Sequence, residues 1–368
     1  MLKGRATPEG TAAFAARQAS AHPQHWRSAL GLTLSSIGMG TYLGNADPVT
    51  DGKYAAAAGL ALSLGINVID SAINYRYQRS ERNVGAALRK AVESGALRRE
   101  EVFLCTKGGF LAGDTGPATR EWFDETYAKP GVIGPQDVVG GGHCMTPAYL
   151  KHEVEQSRKN LGVETIDLYY VHNPETQLGE MDEREFYTRL AKAFRALEEC
   201  AAEGKIQGYG TATWNAYRAP AGTPGAVSLA KTLERAVEAG GPKHRFRAIQ
   251  IPFNFALPEA SLAETQEREG GSVPVLRAAQ DLGLAVFTSV PLMQGQLLGR
   301  FHPEFRRRFA GLKTDAQRCL QFARSTPGVT APLCGMKDPE HVEENAKVAE
   351  VAPLGADEYA SLVAALRG

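Results

Sequence analysis

The feature that most limits what this chain can become is an alternation of short apolar runs with longer amphipathic stretches. The apolar runs are 67–70 (NVID), 102–106 (VFLCT), 166–171 (IDLYYV), 206–211, 246–251, 284–289 and 329–334. Several read as parallel strands buried on both faces. Between them the pattern predicts helices over 53–64, 80–94, 147–160, 184–203, 224–239, 273–281 and 339–349. Gly65, Gly95, Gly162, Gly204 and Gly283 stand just past several helices, where a residue tolerating positive φ is preferred. Taking 32–38 as the first strand gives eight. Strand-helix alternation of this length is α/β, and a count of eight favours a closed (β/α)8 TIM barrel over a doubly wound sheet.

No G-x-G-x-x-G follows an early strand, which also weighs against a dinucleotide fold of the doubly wound kind. The glycine run Gly140-Gly141-Gly142 leads into His143-Cys144-Met145 and opens no helix of the right kind. Two segments break the alternation. Residues 1–30 read as an N-terminal extension, and 31–368 as a single barrel domain. Residues 108–146, after the third strand, are a long polar, glycine-rich insertion carrying Trp122, Phe123, Tyr127 and His143. Connections of that length are commonly functional, and this one is expected to act as a substrate lid.

The chain's 368 residues suffice for one large barrel. Its net charge of zero argues against a nucleic-acid or anionic-membrane partner. No apolar run approaches the roughly 20 residues that span a bilayer, and the first twenty residues lack the apolar centre of a secretion signal. Five scattered cysteines suit a reduced, cytoplasmic protein. His143-Cys144 has no partner pair at zinc spacing, and His152-Glu153 is not part of H-E-x-x-H, so no metal is expected. The pattern carries no signature of oligomeric state.

Four polar groups fall at predicted strand ends: Asp70, Lys107, His172 and Gln250. The C-terminal strand ends of a barrel converge on its active site. Tyr75, five residues past Asp70, overlooks the same mouth. These types suit carbonyl reduction. A hydride added to a carbonyl leaves an alkoxide that needs a proton, and a tyrosine can supply it. A phenol titrates near pH 10; an adjacent ammonium, here Lys107, lowers that value, and Asp70 holds the ammonium charged. His172 can donate a hydrogen bond to the carbonyl oxygen.

The same residues resemble the aldo-keto reductases. Residues 65–88, GINVIDSAINYRYQRSERNVGAAL, look like that family's Gly-…-Asp-Thr-Ala-x-x-Tyr-…-Ser-Glu-…-Gly-x-Ala-Leu signature. VFLCTK (102–107), LGVETIDLYYVHNP (161–174), GKIQGYG (204–210), AIQIPFN (248–254), VPLMQGQL (290–297) and DPEHVEEN (338–345) resemble later family segments in order. The resemblance implies Tyr75 as general acid/base, with Asp70, Lys107 and His172 completing a tetrad. It implies a nicotinamide cofactor, NADPH ahead of NADH, and a small carbonyl or alcohol substrate. Gln250 would hold the nicotinamide carboxamide, with Thr213, Ser289 and Leu292 near it. Gly335, Lys337 and His341 would lie toward the 2′-phosphate, and Glu344 and Asn345 near the adenine.

The chain departs from the family pattern at several of these places. Ala212 and Thr213 stand where Ser-Asn is usual, and Ser289 where an aromatic commonly stacks on nicotinamide. Gly335, Met336 and His341 replace a Lys-Ser pair and an arginine, with Lys337 adjacent. Asn173 follows the histidine in place of Trp. The alternative reading is a nicotinamide-binding sensor or partner subunit with little turnover. A barrel hydrolase or lyase is disfavoured, since the chain has neither a G-x-S-x-G elbow nor a histidine metal cluster.

Overall fold

The computed structural model describes residues 1–367. Eight parallel strands close a barrel in chain order: β1 (Gly38–Gly40), β2 (Val68–Asp70), β3 (Phe103–Gly108), β4 (Ile166–His172), β5 (Ile206–Ala212), β6 (Phe246–Pro252), β7 (Ala285–Ser289) and β8 (Ala331–Gly335). Closure is made by β8 against β1, with Leu333 opposite Gly38 and Gly335 opposite Gly40. Each strand is followed by a helix: α1 (Pro48–Ser63), α2 (Arg79–Glu93), α3 (Pro147–Leu161), α4 (Glu183–Ala202), α5 (Leu229–Gly240), α6 (Val275–Asp281), α7 (Asp315–Ser325) and α8 (Pro339–Ala346). The expected TIM barrel is therefore the fold.

Local chemistry sets the helix starts. Asp47, Thr146, Asp182, Ser228 and Thr314 each accept a backbone N–H in the first turn of the helix they precede. Thr314 and Gln317 form a reciprocal capping box. Pro48 and Pro147 occupy first-turn positions, where the missing N–H removes no bond.

The first strand is not where the apolar pattern predicts it. Leu32–Ser35 is a strand, but it pairs antiparallel with Trp26–Ala29 in a hairpin outside the barrel. Leu30 (φ 57°) and Gly31 (φ 75°) form its two-residue turn. The barrel strand is Gly38–Gly40, which has almost no hydrophobic signature. Glycine is needed there because a Cβ on Gly38 would lie 2.6 Å from Leu333 Cδ2 and 3.0 Å from Val68 Cγ1. The division at residue 30/31 thus cuts a hairpin in half.

That hairpin is the barrel floor. Leu34 is fully buried against the inward-facing set that includes Val68, Phe103, Leu168, Phe287 and Leu333. Burying such a side chain contributes about 2 kcal/mol. Asn67, at the foot of β2, accepts from Ser35 N (2.8 Å) and donates to Thr33 O (3.0 Å), so the floor is stitched to the barrel. Pro8–Ala16 is helical and packs Phe14 into the outer core. With the floor sealed, the open end of the barrel is the one where the strands finish.

Candidate active site

Strand ends bring the reactive groups together. β2 ends at Asp70 and β3 carries Lys107 one residue before its end. Lys107 Nζ donates to Asp70 Oδ2 (2.5 Å) and to Ser71 O (2.7 Å). The same ammonium lies 4.8 Å from the centroid of the Tyr75 ring. Tyr75 packs edge-on against His172 (5.8 Å between centroids) and Tyr42 (5.0 Å). His172, at the end of β4, is also edge-on to Phe110 (5.3 Å). Asp70, Tyr75, Lys107 and His172 therefore form one cluster.

The loop holding Tyr75 is conformationally unusual. Arg76, Tyr77 and Gln78 take left-handed φ values of 52°, 55° and 68° in succession. Each costs of order 1 kcal/mol and persists only if the surroundings dictate it. They do. Arg76 donates to Asp51 Oδ1 (2.5 Å) and Asn45 O (2.8 Å) and lies over the Tyr54 ring (5.0 Å). Gln78 N bonds Ile73 O (3.0 Å), and Thr115 N bonds Tyr77 O (3.2 Å). Behind β3, the buried Glu81 accepts from Thr106 Oγ1 (2.6 Å) and Asn160 Nδ2 (2.8 Å), tying α2 and α3 to the residue before Lys107.

The electrostatics follow from burial. Burial pushes the Asp70 carboxyl up, against the pull of Lys107 and Gln250. Burial works against the Lys107 ammonium, but Asp70 and Tyr75 outweigh it and hold its pKa above the ordinary value. Burial and the Lys107 charge hold His172 well below an ordinary histidine, so its ring is neutral. Tyr75 differs from the expectation: burial raises the phenol, and the nearby ammonium does not reverse the rise. Tyr75 is thus held in its protonated form.

These groups open into a cavity of about 550 Å³, within the size range of cofactor and ligand sites. Asp70, Tyr75, His172 and Gln250 line it. So do Thr213, just after β5, Ser289, the last residue of β7, and Leu292 in the loop that follows β7. Gly335, the last residue of β8, and Lys337, His341, Glu344 and Asn345 beyond it line the cavity as well. Gln250 Nε2 donates to Asp70 Oδ1 (2.9 Å), so this side chain already touches the tetrad. Lys337 Nζ pairs with Asp338 (2.9 Å), which also holds Lys53 (2.6 Å). Arg306 pairs with Asp315 and Arg308 with Ser361; neither lines the cavity.

Four buried polar atoms on the cavity-lining residues have no protein partner: Asn74 Oδ1, His172 Nδ1, Thr213 Oγ1 and Asn345 Oδ1. Buried polar groups are normally satisfied, and a polar ligand in the cavity would satisfy them. A dinucleotide with hydrogen-bonding groups at both ends suits this lining.

The sequence missed several walls. Tyr42 and Trp214 line the cavity with 56% and 46% of their surfaces exposed, and Phe110 lines it as well. None sits at a strand end. Trp214 was detectable only through its place two residues after Ala212. In the loop after β7, Leu292 was legible in the sequence, but the loop's backbone geometry was not. Val290, Met293 and Gln294 have positive φ, and the fully buried Asn254 donates to Val290 O (2.9 Å), pinning it.

The 108–146 insertion does not lay its aromatics across the cavity. Tyr127 packs against Trp122 (5.2 Å) and Tyr149 of α3 (5.6 Å), and its hydroxyl donates to Glu153 (3.0 Å). Of the segment's aromatic residues, only Phe110 lines the cavity. No helix among the described residues is long and apolar enough to cross a membrane.

Comparison with known proteins places this geometry. The aldo/keto reductase family model matches residues 36–315. An NADH-specific methylglyoxal reductase of Escherichia coli (strain K12) is 29% identical over 190 residues, 50% of each chain. Aldo-keto reductase family 1 member D1 of Rattus norvegicus is 24% identical over 336 residues, 86% of this chain and 83% of that one. The chain spans about half the length of the first of these curated relatives. The holo form of an aldo-keto reductase from Bacillus halodurans shares the fold with a TM-score of 0.63 at 21% identity, over 93% of this chain and 96% of that one. An aldo/keto reductase from Klebsiella pneumoniae, solved with NADP and acetate, gives 0.62 at 20% identity, over 91% and 93%. A family match that starts at the hairpin's exit from the floor and runs into α7 covers the strands that carry the tetrad, and the chain belongs to the aldo/keto reductase family.

Proposed function

We propose that this chain is a nicotinamide-dependent reductase of small carbonyl compounds, running in reverse on the corresponding alcohols. The observation that carries the reading is the Asp70–Lys107–Tyr75–His172 cluster opening into one cavity. Reduced nicotinamide, when bound, supplies a hydride to the carbonyl carbon. The protein supplies the rest. His172 is neutral and offers an N–H to the carbonyl oxygen, stabilising the charge that develops there. Tyr75 gives its hydroxyl proton to the resulting alkoxide, and Lys107 stabilises the phenolate left behind. Asp70 keeps Lys107 charged and aimed. Tyr42, Phe110, Asn173 and Trp214 would enclose the substrate.

Gln250, Thr213, Ser289 and Leu292 would hold the nicotinamide end of the cofactor, with Glu344 and Asn345 at the adenine end. Lys337 puts an ammonium beside Gly335 among the lining residues, with His341 also lining the cavity, which favours NADPH over NADH. Zero net charge fits a small-molecule partner rather than nucleic acid or a membrane surface. Five unpaired, buried cysteines fit a reducing compartment such as the cytoplasm.

The test is a fluorescence titration with NADPH and with NADH, followed by reduced-cofactor consumption over a panel of aldehydes and ketones. Saturable binding with carbonyl-dependent consumption is expected. Binding without turnover would leave the sensor reading. Binding of neither cofactor would end both.

A further inference from the structure

Behind His172 lies a second histidine that the reaction above does not use. His143 is fully buried, in the insertion after β3. Its Nε2 is 2.8 Å from the backbone oxygen of His172. Gln177 Nε2 is 2.9 Å from His143 Nδ1. Gln177 Oε1 in turn accepts from Arg189 Nη1 (3.1 Å).

These contacts fix every proton in the chain. Arginine only donates, so the Gln177 oxygen must face Arg189 and its NH2 must face His143. Nδ1 of His143 is then an acceptor, and Nε2 carries the hydrogen that goes to His172 O. Burial keeps the ring neutral, with its pKa held down to about 4.

The bond matters because of where β4 stops. Asn173 takes a left-handed conformation (φ 45°, ψ 56°), so the chain turns sharply away just after His172. A strand-end carbonyl turned out of the ladder needs a donor, and His143 is that donor. The approach is close enough to require Gly109. A Cβ there would fall 2.6 Å from His172 O and 3.0 Å from His143 Nε2. Phe110 is edge-on to both imidazoles, 5.1 Å from His143 and 5.3 Å from His172. The two ends of the insertion are zipped by Cys144 N to Gly109 O (2.7 Å) and Leu111 N to Gly142 O (2.8 Å).

We infer that His143 is a positioning residue: held by Gln177 and Arg189, it fixes the His172 backbone and the Phe110 wall, and so aims the His172 imidazole at the substrate carbonyl. The insertion after β3 serves the site from behind. This inference rests on the reductase reading for its kinetic readout, but not for its spectroscopic one.

The experiment compares His143→Phe and His143→Gln in the full chain, each in the unaltered and His172→Gln backgrounds. His143→Phe removes the donor; kcat for carbonyl reduction should fall about tenfold, since small misplacements of a catalytic group are costly, while the NADPH Kd changes less than twofold. His143→Gln has an N–H that can reach the same oxygen and should retain at least half of kcat. In the His172→Gln background, His143→Phe should cost less than a further twofold. Equal losses in both backgrounds would show a general structural role and overturn the inference, as would an undiminished kcat in His143→Phe. Histidine ¹⁵N resonances give an arm independent of turnover: His172 imidazole signals should shift in His143→Phe and return toward the parent in His143→Gln. Unmoved His172 signals would refute the positioning role even if no carbonyl is reduced. If His143→Phe fails to fold, Gln177→Leu, which releases the tautomer lock, is expected to shift the same signals and lower kcat, and its silence counts equally against the inference.

Discussion

Lys107 Nζ and Asp70 Oδ2 are 2.5 Å apart in the barrel, with no exposure of the lysine side chain and almost none of the aspartate. Removing one member of a buried pair leaves the other uncompensated and costs about 3–5 kcal/mol. Asp70→Asn should therefore lower the unfolding free energy by about 3 kcal/mol, read from urea denaturation. The double variant Asp70→Asn/Lys107→Met should recover most of that loss. A loss of under about 1 kcal/mol in Asp70→Asn would mean that the pair is neutral in the fold.

Tyr75→Phe keeps the ring contacts with Tyr42 and His172 and removes only the hydroxyl. Loss of a general acid lowers the chemical step about 10²–10⁴-fold. Single-turnover reduction should slow by at least about a hundredfold, while cofactor affinity stays within about twofold. A variant that keeps full activity would remove Tyr75 from its role.

Glu81 gives a pH signature. Burial pushes its carboxyl up to about 7, despite the bonds from Asn160 and Thr106. In the unfolded chain a glutamate titrates near 4.3. Between those values the folded state binds more protons, so this group's contribution to stability falls as pH rises from about 4.5 to about 7 and stays reduced above. Glu81→Gln cannot ionise. Its stability relative to the parent should climb through that window by about 1 kcal/mol per pH unit. Urea midpoints at pH 5 and pH 8 measure this, and a flat difference would show that the carboxyl is not shifted.

Asp338 lies between Lys53 and Lys337, whose hydrogen bonds hold its carboxyl down to about 2. Paired with Lys337, which lines the cavity, its charge opposes an anionic ligand that Lys337 favours. Lys337→Met should weaken NADPH by about tenfold, the effect of losing one charge-assisted bond of roughly 1.4 kcal/mol, with NADH little changed. Asp338→Asn should tighten NADPH. Titrations of both variants with both cofactors decide it; equal effects on NADPH and NADH would place the 2′-phosphate elsewhere.

The legible and illegible parts of the sequence differ by a physical rule. Seven strands are buried at nearly every position because helices cover one face and the barrel interior the other, so most of them stand out as apolar runs. Asp70, Lys107, His172 and Gln250 were readable because strand ends in such a barrel converge. The first strand was not, because Gly38–Gly40 is selected for closeness to Leu333 and Val68 and not for hydrophobicity, while Leu32–Ser35 has the apolar pattern but serves the floor. Tyr42, Phe110 and Trp214 are placed by loop geometry, which leaves no period in the sequence. The effect of burial on Tyr75 depends on everything packed around it, and spacing to Lys107 does not reveal it.

The hairpin has a consequence for where this protein can be cut. The family match begins at residue 36, just after Leu34 and the pairing of Trp26–Ala29 with Leu32–Ser35. A fragment starting there would keep every member of the tetrad and lose the plug beneath Val68, Phe103 and Leu333. It would also lose Arg27, whose guanidinium donates to Arg324 O (2.7 Å), and with it a tie to the end of α7. The stretch that the family model matches is therefore smaller than the stretch that excludes water, and a cut made at its edge would open the barrel from below.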